Sequence, residues 1–253
     1  MSFAQEIKQE VLNQEFAIEQ ANAFVSGLIS SSSERVGSKT FVKLNNPKIS
    51  LIIKDLMNQL NVEFESSLEN KNWLVLKNYE PTTKINQPSY FFAGAFVGGG
   101  SISDTESNSY HLEIQLYSHA EAERIKVFLN KYSFKFTLIQ RRKLFVLYIK
   151  KAEQISDFLR SIQSFNSLMR FEDARISRDF HNQINRYSNL DTYNQQKLAK
   201  ASSNFVKRYN RIKTENLTHF FKEPEIAFFE LKMENQFSSL EELTKLYFDK
   251  TGI

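Results

Sequence analysis

The chain has 253 residues, long enough for one large domain or two smaller ones, and its 41% hydrophobic and 25% charged content is that of a globular protein. Zero cysteines exclude disulfides, thiol catalysis, zinc ribbons and iron–sulfur clusters together, and the four histidines (His111, His119, His181, His219) lack ligand spacing, so no metal and no other cofactor is expected. No apolar run approaches the roughly 18 to 20 residues that span a bilayer, and MSFAQEIKQE lacks a signal-peptide core, which predicts a cytoplasmic protein with no membrane partner.

In chain order, Ile18 to Ser31 has the apolar spacing of a helix, with Ala23, Gly27 and Ser31 recurring every fourth position on one face. A strand (Lys39 to Leu44), a helix opened by Asn46-Pro47 and reaching Leu60, and a hairpin (Val62 to Leu68, Trp73 to Lys77) follow. Pro88 then opens a second helix, Ser89 to Gly98, with Gly94 and Gly98 four apart. After it come Ser101 to Ser103, the alternating YHLEIQLY (Tyr110 to Tyr117), a helix (His119 to Asn130) and a hairpin (Phe134 to Lys150) whose turn carries Arg141, Arg142 and Lys143. The two series match at a spacing of about 67 residues, read from Gly27 to Gly94, which predicts a duplicated α/β unit. Small residues on both first helices predict that these two helices pack closely as a pseudo-symmetric pair.

Charge divides unevenly along this order. Residues 1 to 123 carry 9 basic and 15 acidic groups, residues 124 to 214 carry 20 and 6, and residues 215 to 253 carry 4 and 8, so the basic charge is one central block. Within it Arg124 to Lys151 holds nine basic residues and no acid, and Thr192 to Thr214 holds six and no acid. Acid-free basic stretches point to a polyanion, with a basic surface balanced by the acidic N-terminal region as the other reading.

VSGLISSSS (Val25 to Ser33) and FAGAFVGGG (Phe92 to Gly100) begin the two copies and fit one nine-residue pattern, with Gly in third place. Two αββαββ units opened by such a pair resemble the LAGLIDADG homing endonucleases. The resemblance implies a divalent-metal site built from an acid in the eighth place of each motif. Those places here are Ser32 and Gly99, and the sixth places are Ser30 and Val97, which predicts a fold without catalytic residues. Ordinary Gly/Ser helix caps would explain either tail alone. Only an unrecognised carboxylate such as Asp104 could rescue cleavage.

Longer stretches are similar to the WhiA family: SFAQEIKQE, AGAFVGGGSISD with YHLEI, IKKAEQISDFLRSI, FEDARISRDFHNQINRYSNLDTYN and SSLEELTKLY. The resemblance implies a degenerate LAGLIDADG domain joined to a helix-turn-helix, in bacterial DNA-binding regulators of sporulation and cell division. Arg178, Asn182, Asn185, Arg186 and Asn189 match its signature segment, whereas LDTYN (Leu190 to Asn194) departs from the family's Cys-Glu-Thr-Ala-Asn, and the N-terminal repeat looks abbreviated. The expected fold is α+β: residues 1–165 as two LAGLIDADG-like repeats (about 1–85 and 86–165), 166–214 as a basic helical connector, and 215–253 as an incomplete all-α helix-turn-helix region.

In the connector, Ile176, Phe180 and Ile184 recur every fourth residue and predict a core stripe. Arg175, Arg178, Asn182, Asn185 and Arg186 fall on other faces, available to DNA or to an internal hydrogen-bond network fixing the domain junction. Lys207, Arg208 and Arg211 follow, on a helix that also carries Lys197 and Lys200. Beyond Pro224 one helix (Glu225 to Glu234) precedes another in which Ser239 is the cap, and Leu240, Glu241, Leu243, Lys245, Lys250 and Thr251 form the helix-turn-helix segment. The family's reader helix would lie past Ile253; a plain helical cap on the connector is the other reading of these two helices. The expectation is a non-enzymatic, nucleoid-associated transcriptional regulator of cell division and chromosome segregation. Its partners would be double-stranded DNA and, as a further candidate, another transcription factor. The alternative is a scaffold whose former nuclease cleft senses a small ligand or a protein.

Overall fold

Small residues on one stripe of each motif helix set the architecture. The computed structural model describes residues 2–37, 39–77, 85–107 and 109–252. After a leading helix α1 (Phe3–Leu12), the first copy runs α2 (Ile18–Ser32), β1 (Ser33–Val36), β2 (Lys39–Val42), α3 (Pro47–Gln59), β3 (Phe64–Ser66) and β4 (Leu74–Lys77). The second runs α4 (Pro88–Gly99), β5 (Gly100–Ile102), β6 (Leu112–Leu116), α5 (His119–Lys131), β7 (Thr137–Arg141) and β8 (Leu144–Ile149). Each copy pairs its strands antiparallel in the same order, β1-β2-β4-β3 and β5-β6-β8-β7.

The first copy is therefore complete in its elements and shortest relative to the second in its hairpin, whose strands have 3 and 4 residues against 5 and 6. One strand was expected between α2 and α3, and the structure has two. The extra strand, β1, is the segment SERV, which starts directly at the last Ser of the motif; four residues, mostly polar, at a sheet edge leave no alternation to read.

Helix starts follow local chemistry. Asn46 accepts the backbone N–H of Lys48 through Oδ1 at 2.9 Å, with Pro47 in the first turn of α3. Pro88 likewise stands in the first turn of α4, where Gln87 makes no side-chain cap. Helix α4 is buried from Phe91 to Val97, and an element enclosed on all sides reads as apolar all round, as this one does.

The pairing of α2 with α4 is a contact between backbones. A Cβ added to Gly27 would overlap the carbonyl of Phe91, and one added to Gly94 would overlap the carbonyl of Phe24. Only glycine permits that approach, and the contact is reciprocal, as a two-fold relation between copies requires. Around it lie Phe24, Leu28, Phe91, Phe92 and Phe96, each at most 2% exposed. Helix α6 (Ala152–Ser161) adds Phe158, whose ring lies edge-on to those of Phe134 and Phe136 at 5.7 and 5.6 Å.

Helix α7 (Phe165–Thr214) is 50 residues long, and its start is fixed from α1. The Glu10 carboxylate accepts the backbone N–H of Asn166 at 2.7 Å and of Ser167 at 3.0 Å, and also the hydroxyls of Ser164 and Ser167. An acid at a helix N-terminus meets its unpaired N–H groups and its dipole together. Burial opposes the charge, but these hydrogen bonds outweigh it and hold the Glu10 carboxyl below the usual carboxylate range.

The chain divides into two compact units, Met1–Arg178 and Asp179–Ile253. Ile176, Phe180 and Ile184, expected to form a core stripe, are 65%, 61% and 48% exposed. A four-residue apolar period identifies one face of a helix but not what covers it, and no described element covers this one. In the second unit, α7 is followed by a 3-10 turn (Leu217–Phe220), α8 (Glu223–Glu234) and α9 (Leu240–Thr251). Tyr209 is its main aromatic anchor, with the rings of Phe205 and Phe229 at 6.0 and 5.7 Å.

Candidate functional site

The feet of α2 and α4 are where the motif acids would stand. The Ser32 hydroxyl donates to the Leu28 carbonyl at 2.6 Å and that of Ser31 to the same oxygen at 3.1 Å, so both side chains are turned back on their own helix and buried. At the other foot there is no room for a side chain, since a Cβ on Gly99 would overlap the carbonyl of Gln115 in β6. Asp104 lies exposed after β5, bonded to Thr105, and does not line the cavity at the feet. Among the described residues no cluster of His, Cys, Asp or Glu could hold a metal ion. A divalent metal does not fit this donor set, because neutral hydroxyls and a filled glycine position supply no charge to it.

Lysines stand at this position instead. A cavity of about 190 Å³ at the feet is lined by Lys8, Ser32, Lys43, Asn45, Gly99 and Gln115, among others. Lys43 Nζ is 2.5 Å from Glu34 and lies over the rings of Trp73 and Tyr117 at 5.0 and 4.7 Å. Lys8, from α1, has no carboxylate partner among the described residues, and burial pushes its ammonium down to about 8. Neither lysine was singled out by sequence reasoning. Lys8 sits outside both repeats, and only the packing of α1 brings it to the feet.

The second copy's hairpin carries three consecutive exposed cations at its turn. β7 ends at Arg141 and β8 begins at Leu144, leaving Arg142 and Lys143 as a two-residue turn with Arg142 at φ 57°. All three basic side chains are exposed. Arg141 Nη1 is 3.1 Å from Glu113, which also accepts from Gln115 at 2.9 Å and pairs with His111 at 2.9 Å. Burial opposes the Glu113 charge, yet the hydrogen bonds from His111 and Gln115, with Arg141 nearby, hold its carboxyl below the usual range. Arg142 and Lys143 have no ion partner among the described residues, so they are the freer cations of the three.

On α7 the expected contact residues divide. Arg175 pairs with Glu153 at 2.6 Å and Glu172 at 3.5 Å. Arg178 lies over the Tyr110 ring at 4.1 Å and donates to the carbonyls of Thr105 and Ser107 at 3.1 and 2.5 Å, clamping the segment between β5 and β6. Asn182, Asn185 and Arg186 are exposed, as are Asn189, Lys207 and Arg208. Arg211 is exposed and pairs with Glu215 one turn on, at 2.7 Å.

In α9, Ser239 accepts the N–H of Glu242 at 3.2 Å while Glu242 accepts that of Ser239 at 2.8 Å, a reciprocal cap. Leu243 is buried and Leu240 exposed; Glu241 pairs with Lys245 at 2.9 Å and Lys250 with Glu234 at 4.0 Å. Thr251 donates to the Tyr247 carbonyl, and Gly252 follows in the left-handed conformation that ends a helix. Helix α8 begins two residues before the expected Glu225, because Pro224 is tolerated inside its first turn.

Comparison with known proteins bears on these residues. The family model for the WhiA LAGLIDADG-like domain matches residues 89–181, and that for the WhiA C-terminal HTH domain matches residues 184–253. Probable cell division protein WhiA of Lysinibacillus sphaericus is 40% identical over 96 residues, 38% of this chain and 30% of that protein. The protein of that name from Staphylococcus aureus is 42% identical over 89 residues, 35% of this chain and 28% of its own. The matched stretch thus spans under a third of the length of these curated relatives. In fold, full-length DUF199/WhiA from Thermotoga maritima aligns over 97% of this chain and 91% of its own, with a TM-score of 0.62 at 23% identity. The N-terminal LAGLIDADG domain of DUF199/WhiA aligns over 64% of this chain and 92% of its own, with a TM-score of 0.51 at 24% identity. Matched in order by both domain models of one family, the chain belongs to the WhiA family.

Proposed function

We propose that this chain is a non-enzymatic DNA-binding transcriptional regulator that serves cell division and chromosome segregation. The observation that carries the reading is a set of exposed cations without carboxylate partners among the described residues: Arg142 and Lys143 at the hairpin turn, and Arg186, Lys207 and Arg208 on α7. Such groups meet phosphates without first breaking an ion pair. The helix-turn-helix family match and the relatives' name as probable cell division proteins support the same assignment. In this reading residues 1–165 are the LAGLIDADG-like domain, 166–214 the basic connector and 215–253 the helix-turn-helix region. The partner is double-stranded DNA, with another transcription factor beside it, and the protein works in the cytoplasm on the nucleoid. The residues at both feet support a scaffold without cleavage chemistry.

The test is a DNA titration over a range of salt. Replacing Arg141, Arg142 and Lys143 by Ala should weaken binding to all sequences alike and flatten the dependence of log K on log salt by roughly 0.9 per lost phosphate contact. An unchanged slope would move the DNA surface off this hairpin, and salt-independent binding by the parent chain would end the reading.

A further inference from the structure

We propose that the cavity at the feet of α2 and α4 is a phosphate-binding site, with Lys8 and Lys43 as its cationic donors and Asn45 as a neutral one. Three independent features meet there. The same two lysines and Asn45 also line an adjoining cavity of about 290 Å³ that passes Asn46 and Pro47 at the start of α3, so their head groups border continuous open space. Lys8 comes from α1, an element outside both repeats, and carries its charge to this place without a carboxylate partner among the described residues. Its nitrogen lies 5.9 Å from the centroid of the Phe96 ring, a distant contact. Finally, the rest of the lining offers no opposing charge: it includes the hydroxyls of Ser31 and Ser32, the amide of Gln115, and the glycines Gly98, Gly99 and Gly100, which carry no side chain.

A half-buried ammonium without a partner costs stability unless something anionic joins it. Burial lowers the Lys8 ammonium to about 8, and an anion beside it would act in the opposite direction. Lys43 is balanced by Glu34, which leaves one net positive charge between the two lysines and Glu34. A second cation is repelled here, and an apolar ligand would strip water from two ammonium groups for nothing in return. A phosphate meets both lysines and accepts from Asn45 as well. Where the motif's ancestral chemistry requires negative groups to hold a cation, this chain presents positive groups to hold an anion.

The phosphate could belong to a DNA backbone or to a small molecule, and one pair of proteins separates the two. The protein and its Lys8→Met variant are compared with inorganic phosphate against chloride at matched ionic strength, and with duplex DNA over a salt series. Phosphate at about ten times its dissociation constant should raise the melting temperature of the parent chain by about 3 to 6 °C and leave Lys8→Met unmoved. If free phosphate does nothing but Lys8→Met lowers the DNA salt slope by about 0.9, the ligand is a backbone phosphate. If phosphate stabilises and the DNA slope is unchanged, it is a small molecule. No response of either kind overturns the proposal. Loss of DNA binding by the parent chain with the phosphate response intact sinks only the DNA reading. Should Lys8→Met not fold, the parent chain still decides: phosphate restores the Lys8 ammonium, so binding at pH 8.5 must take up protons beyond those of phosphate and buffer, and its failure to do so counts against the site.

Discussion

In the first unit Gly27 and Gly94 bring two helix backbones into contact, and Phe3, Phe24, Phe96 and Phe158 from four helices close over the pair. In the second unit only Tyr209, Leu231 and Leu243 are buried apolar side chains among the described residues, and the helices lean on local devices such as the Ser239 cap and the Glu241–Lys245 pair. Local devices contribute roughly 0.3 to 1 kcal/mol each, whereas a fully buried phenylalanine contributes roughly 1.5 to 3. The difference teaches where each unit's sequence is constrained: the first at its interior, the second at its helix ends and at three anchors.

Two unfolding steps are therefore expected in denaturant, and substitutions should move them separately. The largest effect belongs to Gly94→Ala, whose new Cβ meets a backbone carbonyl that cannot turn aside. It should cost about 3 kcal/mol in the step reported by the first unit and leave the other step in place. Leu243→Ala should cost about 2 kcal/mol in the second step alone, at the low end for such truncations because a small core collapses readily. If both variants shifted one common transition, the two units would be a single cooperative body and the comparison would fail.

A smaller and pH-dependent effect should come from Glu10→Gln, at about 1 to 2 kcal/mol near neutral pH. The Glu10 carboxyl titrates lower in the folded chain than in the unfolded one, so its contribution is fully present above the ordinary carboxylate pKa of about 4.3. It is lost as pH falls through the depressed folded value. Denaturation midpoints of the parent chain should thus converge on those of Glu10→Gln on acidification, and parallel curves from neutral to acid pH would detach Glu10 from the start of α7.

Much of the fold was legible because it is written locally. The glycine stripes announced the helix pair, Asn46-Pro47 and Pro88 announced helix starts, and alternation in YHLEIQLY announced β6. The duplication was visible because both copies repeat these local signals at the same spacing. What stayed hidden depends on pairs of residues distant in the chain. The reach of Glu10 to Ser167, or of Arg178 to Thr105 and Tyr110, has no periodicity to betray it. Arg178 in a signature segment reads equally as a DNA contact and as a clamp until its neighbours are known. Lys8 was overlooked for the same reason, since a lone lysine on an N-terminal helix carries no sign that it ends beside Ser32 and Gly99.

The reciprocal glycine contact also bears on how the two copies can drift apart. Gly27 clears the carbonyl of Phe91 and Gly94 clears that of Phe24, so one crossing point serves both. A methyl group on either glycine would already push the helix axes apart, and the second glycine would then face a carbonyl that has withdrawn. Losing both should cost less than twice the loss of one, a positive epistasis built into the symmetry. The pair is thus held most strongly while both members remain, and a lineage that has lost one gains latitude at the other.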